Sequence, residues 1–160
     1  YADAIWFMSL LNSSDPYFIA GAQVLGAPLI KRFGLEAIPL GYIIVGEGGA
    51  ASVVGRAFPI PNEKPELAAA YALTAEYFGM HFTYLEAGSG AKQTVRPEMI
   101  RVVKEVVQIP LIVGGGIKTS RQAREIASAG ADVVVTGTVT EKEGNLREKI
   151  SAMVSSVKVK

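Results

Sequence analysis

A chain of 160 residues is long enough for one domain with a real core, and 49% hydrophobic against 19% charged residues suits a globular α/β protein with buried parallel strands. A net charge of +1 gives no reason to expect a nucleic-acid partner, and the absence of cysteine excludes disulfides, zinc–thiolate sites and cysteine nucleophiles. The single histidine, His81, has no Gly-x-Ser-x-Gly elbow to serve, and no run of about 18 apolar residues suggests a membrane span. Without a signal-like start, a cytoplasmic location is expected.

In chain order, 4–11 reads as an apolar strand. Asn12-Ser13-Ser14-Asp15-Pro16 is a polar turn that starts a helix over 17–32, with Asp15 or Ser14 capping and Gly34 stopping it. The next strand lies within 35–45, and Pro39 should leave it short or bulged. The stretch 46–65 has little periodicity and seven Gly or Pro residues, as functional or mobile loops do. An Ala-rich helix over 65–78, a strand over 82–87 and a helix over 97–107 follow. A strand over 111–113, a helix over 121–129, a strand within 132–138 and a helix over 145–157 complete the chain.

Strand and helix thus alternate five times, which implies a parallel sheet with helices outside it. Each unit averages about 32 residues, close to the pitch of an eightfold (β/α)8 TIM barrel of about 250 residues. The expected fold class is therefore α/β of that barrel type. The chain 1–160 is read as a single domain holding the last five βα units, the C-terminal part of a longer barrel. The competing fold is a five-stranded flavodoxin-like sheet, but there the phosphate loop usually follows the first strand. Here the glycine loops follow the last two.

Those loops are the strongest chemical signal. Leu111-Ile112-Val113 runs into Gly114-Gly115-Gly116, with Thr119 or Ser120 placed to cap the next helix. Val133-Val134-Val135 runs into Thr136-Gly137-Thr138. One such strand end makes only a tight turn. Two in succession point to the phosphate site that barrels build after their last two strands, where glycine backbone and a helix start can meet an anion. Glu86 closes the 82–87 strand just before Gly88-Ser89-Gly90, where a carboxylate faces a barrel's mouth and can take a hydroxyl proton; otherwise it is a solvent-facing strand-end charge. Tyr84 points to the same side, as a ligand or as a core aromatic. Ser89 can offer hydroxyl and backbone N–H to an anion. His81 falls at the opposite strand end and reads as structural. Met8, Leu10, Tyr17, Phe18 and Tyr42 line an apolar groove or simply belong to the core. Lys118 and Arg121 follow the glycine loop and either add positive charge near a phosphate or, the reading preferred, are solvated helix residues, and Asp3, Asp15 and Asp132 are too isolated for a Mg²⁺ site.

Together, Tyr84-Leu85-Glu86-Ala87-Gly88-Ser89-Gly90-Ala91, Leu111 to Ile117, and Gly130-Ala131-Asp132 with Thr136-Gly137-Thr138 resemble the geranylgeranylglyceryl phosphate synthase family. Leu11-Asn12-Ser13 and Pro39-Leu40-Gly41-Tyr42-Ile43 resemble its fourth and fifth strand ends. Bacterial relatives that use longer prenyl chains share most of the pattern. The resemblance implies a (β/α)8 barrel and a Mg²⁺-dependent transfer of a geranylgeranyl group from geranylgeranyl diphosphate to the C3 hydroxyl of sn-glycerol 1-phosphate, in ether-lipid synthesis. It implies that Tyr84, Glu86, Gly88 and Ser89 hold glycerol phosphate, with Glu86 catalytic, while Gly115, Gly116, Gly137 and Thr138 cradle the phosphate. It places the metal ligand in strands preceding this chain and none within it. It further implies a homo-oligomer with peripheral rather than transmembrane contact with a membrane. The alternatives are a catalytically silent phosphate-binding fragment and another phosphate-binding barrel enzyme.

Overall fold

The computed structural model describes residues 2–137, 139–141 and 145–158. Five strands form one sheet: β1 (Ala4–Leu10), β2 (Glu36–Ile44), β3 (Phe82–Glu86), β4 (Leu111–Gly114) and β5 (Val133–Val135). All neighbouring pairs are parallel and their order is β1-β2-β3-β4-β5. That order decides between the two expected folds. A flavodoxin-like sheet reverses direction at a switch point (order 2-1-3-4-5), whereas strands laid down in strict succession are the barrel arrangement. The chain is thus five consecutive βα units of the (β/α)8 type.

Helices follow the strands as the alternation predicts. They are α1 (Ala22–Phe33), α2 (Gly49–Val54), α3 (Pro65–Tyr77), α4 (Pro97–Val106), α5 (Ser120–Ser128) and α6 (Leu146–Val157). Two departures are local. The helix expected over 17–32 opens as a π-helical turn, Tyr17–Gly21, before becoming α1. Asp15 does cap this segment, its Oδ1 accepting from the Tyr17 N–H at 2.9 Å, and Gly34 ends α1 in the left-handed region. The aperiodic stretch 46–65 contains α2, whose six residues are too few and too small for a periodic pattern to show.

Pro39 does not shorten or bulge β2, which runs unbroken for nine residues. In a strand, a residue's N and C=O face the same side. The Pro39 carbonyl accepts from the His81 N–H at 2.9 Å, one step before β3 begins, since Phe82 pairs with Leu40. The missing N–H therefore faces a position where no strand offers an acceptor, and the ladder loses nothing. His81 lies at the amino end of β3, opposite to Glu86, as expected.

Side-chain alternation divides the sheet into two faces. Ile43, Leu85, Leu111 and Val113 face the helices and join the main core with Ala68, Ala72, Met99, Ile100, Val103 and Ile126. Leu40, Tyr84 and Ile112 face the other way, with Tyr42, Phe82 and Val135 packed around them. This second face corresponds to a barrel interior. On its margins Trp6 and Met8 are 40% and 43% exposed.

Asn12 ties the carboxyl ends of the first two strands together. It is 3% exposed; its Nδ2 donates to the carbonyls of Ile44 and Phe58, each at 2.8 Å, and its Oδ1 accepts from the Ile44 N–H at 3.1 Å. The amide copies a backbone unit where β1 has ended. Asn12→Leu should orphan the Ile44 N–H and the Phe58 carbonyl, since the Ile44 carbonyl keeps the Ile60 N–H, and at roughly 1–3 kcal/mol for each buried unpaired group the loss is expected to reach about 2 kcal/mol or more. Urea unfolding measures it, and an unchanged midpoint would remove this role from Asn12.

Candidate functional site

Register brings the chemically useful side chains to the carboxyl ends of β2 to β5. Ile44, Glu86, Gly114 and Val135 form the uppermost inward layer, and Tyr42, Tyr84, Ile112 and Val133 the one beneath. The Tyr84 ring stands edge-on to Tyr42, at 4.8 Å between centroids, and to Trp6, at 6.0 Å. Its hydroxyl rises into the space that a side chain at position 114 would fill: a Cβ added to Gly114 would collide with the Tyr84 hydroxyl. Glycine at 114 thus makes room for a phenol at the floor of the mouth.

Glu86 is not a solvent-facing strand-end charge. It is 7% exposed, and its Oε1 accepts from the Gly88 N–H at 2.7 Å. Both phenols feel it. Burial first, then the Glu86 charge and hydrogen bonding toward that carboxylate, raise Tyr42 and Tyr84 well above the ordinary tyrosine value of 10.0. Because the folded state holds these protons more tightly than the unfolded chain, the resulting stability is complete below about pH 10 and is lost as the pH rises through the folded values. Two of the six tyrosines should therefore resist ionisation in an ultraviolet titration, and the unfolding midpoint should fall in strong alkali. A titration in which every tyrosine ionises together near the ordinary value would contradict this.

Beside Glu86 lies a cavity of about 150 Å³ lined by Tyr84, Glu86, Ser89, Gly115, Gly116, Ile117, Val135, Thr136 and Gly137. The glycine-rich strand ends expected to form one site do so. Among the described residues the backbone N–H groups of Ser89, Gly116 and Gly137 have no protein acceptor, as an anion cradle requires. Gly88 contributes from behind the wall, through its bond to Glu86. Thr138 lies outside the described residues.

The start of α5 is capped as the sequence predicts. Thr119 caps it, its Oγ1 accepting from Gln122 N–H at 3.2 Å. Gln122 Oε1 in return accepts from the N–H groups of both Lys118 and Thr119, at 2.9 and 3.1 Å. This capping box satisfies the Lys118, Thr119 and Gln122 N–H groups and leaves those of Ser120 and Arg121 without an acceptor among the described residues. Lys118 is exposed but lies in the loop before the helix, and its Nζ donates to the Ala91 carbonyl at 3.0 Å. Arg121 is solvated, 87% exposed and paired with Glu125.

A second space, of about 340 Å³, is lined by Met8, Leu10, Phe18, Ala22, Gln23, Tyr42, Ile44, Ala51, Val54 and Gly55. Four of the five residues expected to line an apolar groove are there; Tyr17 is not. Tyr42 links the two, because it lines this groove while its phenol interacts with Glu86 on the wall of the other. Tyr42 was absent from the residues assigned to the site by sequence. Its strand was recognisable, but only the pairing of Tyr42 with Tyr84 shows which side chain it meets.

Sheet order and glycine-edged strand ends define a barrel-type α/β protein with a glycine-lined cavity at the carboxyl ends of its strands. The chain belongs to the PcrB family, whose model matches residues 1–157. It is 56% identical over 158 residues to the geranylgeranylglyceryl phosphate synthase of Thermofilum pendens, covering 99% of this chain and 62% of that protein. With that of Pyrococcus abyssi the identity is 60% over 148 residues, covering 92% and 59%. Among solved structures it is similar to the (S)-3-O-geranylgeranylglyceryl phosphate synthase of Thermoplasma acidophilum in complex with sn-glycerol-1-phosphate. That match has a TM-score of 0.96 and 43% identity, over 98% of this chain and 64% of that one. The chain thus spans somewhat less than two thirds of these relatives.

Proposed function

We propose that the protein to which this chain belongs transfers a geranylgeranyl group from geranylgeranyl diphosphate to the C3 hydroxyl of sn-glycerol 1-phosphate. The observation that carries this reading is the contact between Tyr42, on the wall of the apolar groove, and Glu86, on the wall of a small cavity edged by glycine amides that have no acceptor among the described residues. A phosphorylated polyol suits the first and a prenyl chain the second. Gly115, Gly116, Gly137 and Thr138 hold the phosphate, while Tyr84, Gly88 and Ser89 complete the polyol site. Glu86 accepts the proton of the C3 hydroxyl as its oxygen bonds to C1 of the prenyl group, and diphosphate departs with the electron pair of the broken C–O bond. Fixing the hydroxyl against that carbon supplies the positional part of the rate.

Mg²⁺ belongs to this proposal as the counter-charge for the diphosphate. Among the described residues no group of three or more His, Cys, Asp or Glu side chains can hold a metal, so its ligands are proposed to lie outside them. No helix among the described residues is long and apolar enough to cross a membrane. A cytoplasmic homo-oligomer touching the membrane only peripherally completes the reading.

The test supplies the full-length protein with both substrates and Mg²⁺ and looks for the ether product by mass spectrometry, with sn-glycerol 3-phosphate as the control. Product from the 1-phosphate isomer supports the reading. Its absence, with both substrates recovered intact, rejects it.

A further inference from the structure

We propose that Lys118 is a positioning residue for the phosphate-bearing acceptor, acting through the turn that carries Ser89. The inference rests on the reading of the 150 Å³ cavity as the acceptor site.

Residues 88–91 form a tight turn closed by a hydrogen bond from the Ala91 N–H to the Gly88 carbonyl at 3.1 Å. Ser89 stands at its tip, exposed and without a hydrogen-bond partner among the described residues, on the wall of the cavity. Both its neighbours are glycines with positive φ, +105° at Gly88 and +72° at Gly90. Such residues are soft hinges, so the direction of Ser89 depends on how the two ends of the turn are held. The first end is held from inside, by Glu86 on the Gly88 N–H. The second is held from the neighbouring loop, by the Lys118 ammonium on the Ala91 carbonyl, which has no other donor among the described residues.

Lys118 is suited to this because its own backbone is fixed. Its N–H is bonded to Gln122 within the capping box of α5, so the stem leaves from a rigid point. Pinning a lysine stem sacrifices rotamer freedom; the compensation is a charge-assisted bond. Gly116 reinforces the contact: a Cβ added there would lie 3.1 Å from the Ala91 carbonyl oxygen and 2.8 Å from that of Gln93. The β3 and β4 loops therefore meet at two points, and the amides of Gly116 and the hydroxyl of Ser89 face one space between them.

The experiment titrates sn-glycerol 1-phosphate, and separately inorganic phosphate, into the full-length protein by calorimetry. The variants are Lys118→Met, Lys118→Arg, Ser89→Ala and the Ser89→Ala/Lys118→Met pair. Lys118→Met should weaken glycerol phosphate on the order of tenfold, as loss of a charge-assisted hydrogen bond does, with a melting temperature within about 2 °C of the parent. Lys118→Arg should recover most of the affinity. In the Ser89→Ala background, Lys118→Met should cost almost nothing more, because both act as a unit. Unchanged affinity in Lys118→Met overturns the proposal, and so does full additivity in the pair, which would make the ammonium a bare charge on the ligand. A drop in melting temperature shared by the Met and Arg variants would assign Lys118 to the fold alone. Failure of the parent to bind either probe would reject the acceptor-site reading itself and the proposal with it.

Discussion

Glu86→Gln in the full-length protein is expected to lower turnover by about 10²- to 10⁴-fold, the usual contribution of a general base, while the fold survives. The survival follows from the environment. Glu86 is buried and receives the Gly88 N–H on Oε1, and the glutamine amide keeps that acceptor in the same place. Its new NH₂ can donate to a phenol oxygen, since Tyr42 and Tyr84 both face this carboxylate. What the amide cannot do is take a proton from the attacking hydroxyl. The expected signature is a fall in kcat with KM for glycerol phosphate changed far less. Wild-type turnover in Glu86→Gln would take the base role away from this residue.

The second large effect concerns Gly115. Gly115→Val is expected to abolish glycerol phosphate binding, and the geometry shows why the cause lies in the protein rather than in the ligand. Gly115 has φ +88°, where a β-branched residue is strained. A Cβ there would stand 2.5 Å from Glu86 Oε1 and 2.6 Å from the Gly88 nitrogen. The substitution would therefore displace the carboxylate and the Ser89 turn at once. Gly137 offers the contrast, because a Cβ added there meets nothing within 4 Å among the described residues and φ is not left-handed. Gly137→Ala should leave the melting temperature almost unchanged and weaken only the phosphate-bearing ligand. Calorimetry on the two variants separates the cases: equal stability for both, or full binding by Gly115→Val, would refute this account of the strand ends.

The open margins of the sheet bear on the behaviour of the chain by itself. Ile5, Trp6 and Met8 on β1, and Val133 on β5, are apolar and 37% to 43% exposed. Among the described residues β1 and β5 each have one strand neighbour. Unpaired apolar edges recruit other chains, so the 160-residue chain is expected to self-associate in light scattering, and a stable cooperative monomer would contradict this.

Local physics made much of this protein readable without coordinates. The alternation of apolar strands with capped amphipathic segments depends on neighbours within one turn, so all five βα units were legible. So was the clustering of Gly88-Ser89-Gly90, Gly114-Gly115-Gly116 and Gly137 at strand ends, because parallel βα units place every such loop on the same side. Tertiary structure decided what depends on pairing between distant segments. Pro39 is harmless only because its missing N–H faces chain that precedes the start of β3. Tyr42 meets Glu86 because β2 and β3 pair with Tyr42 opposite Tyr84, and a shift of one residue would turn it to the helices. Asn12 finds Ile44 and Phe58, and Lys118 finds Ala91, across 27 to 46 residues of chain. No periodicity encodes these contacts: side chains of that kind satisfy whichever backbone group the folded sheet leaves within reach, and that is known only once the strands are in register.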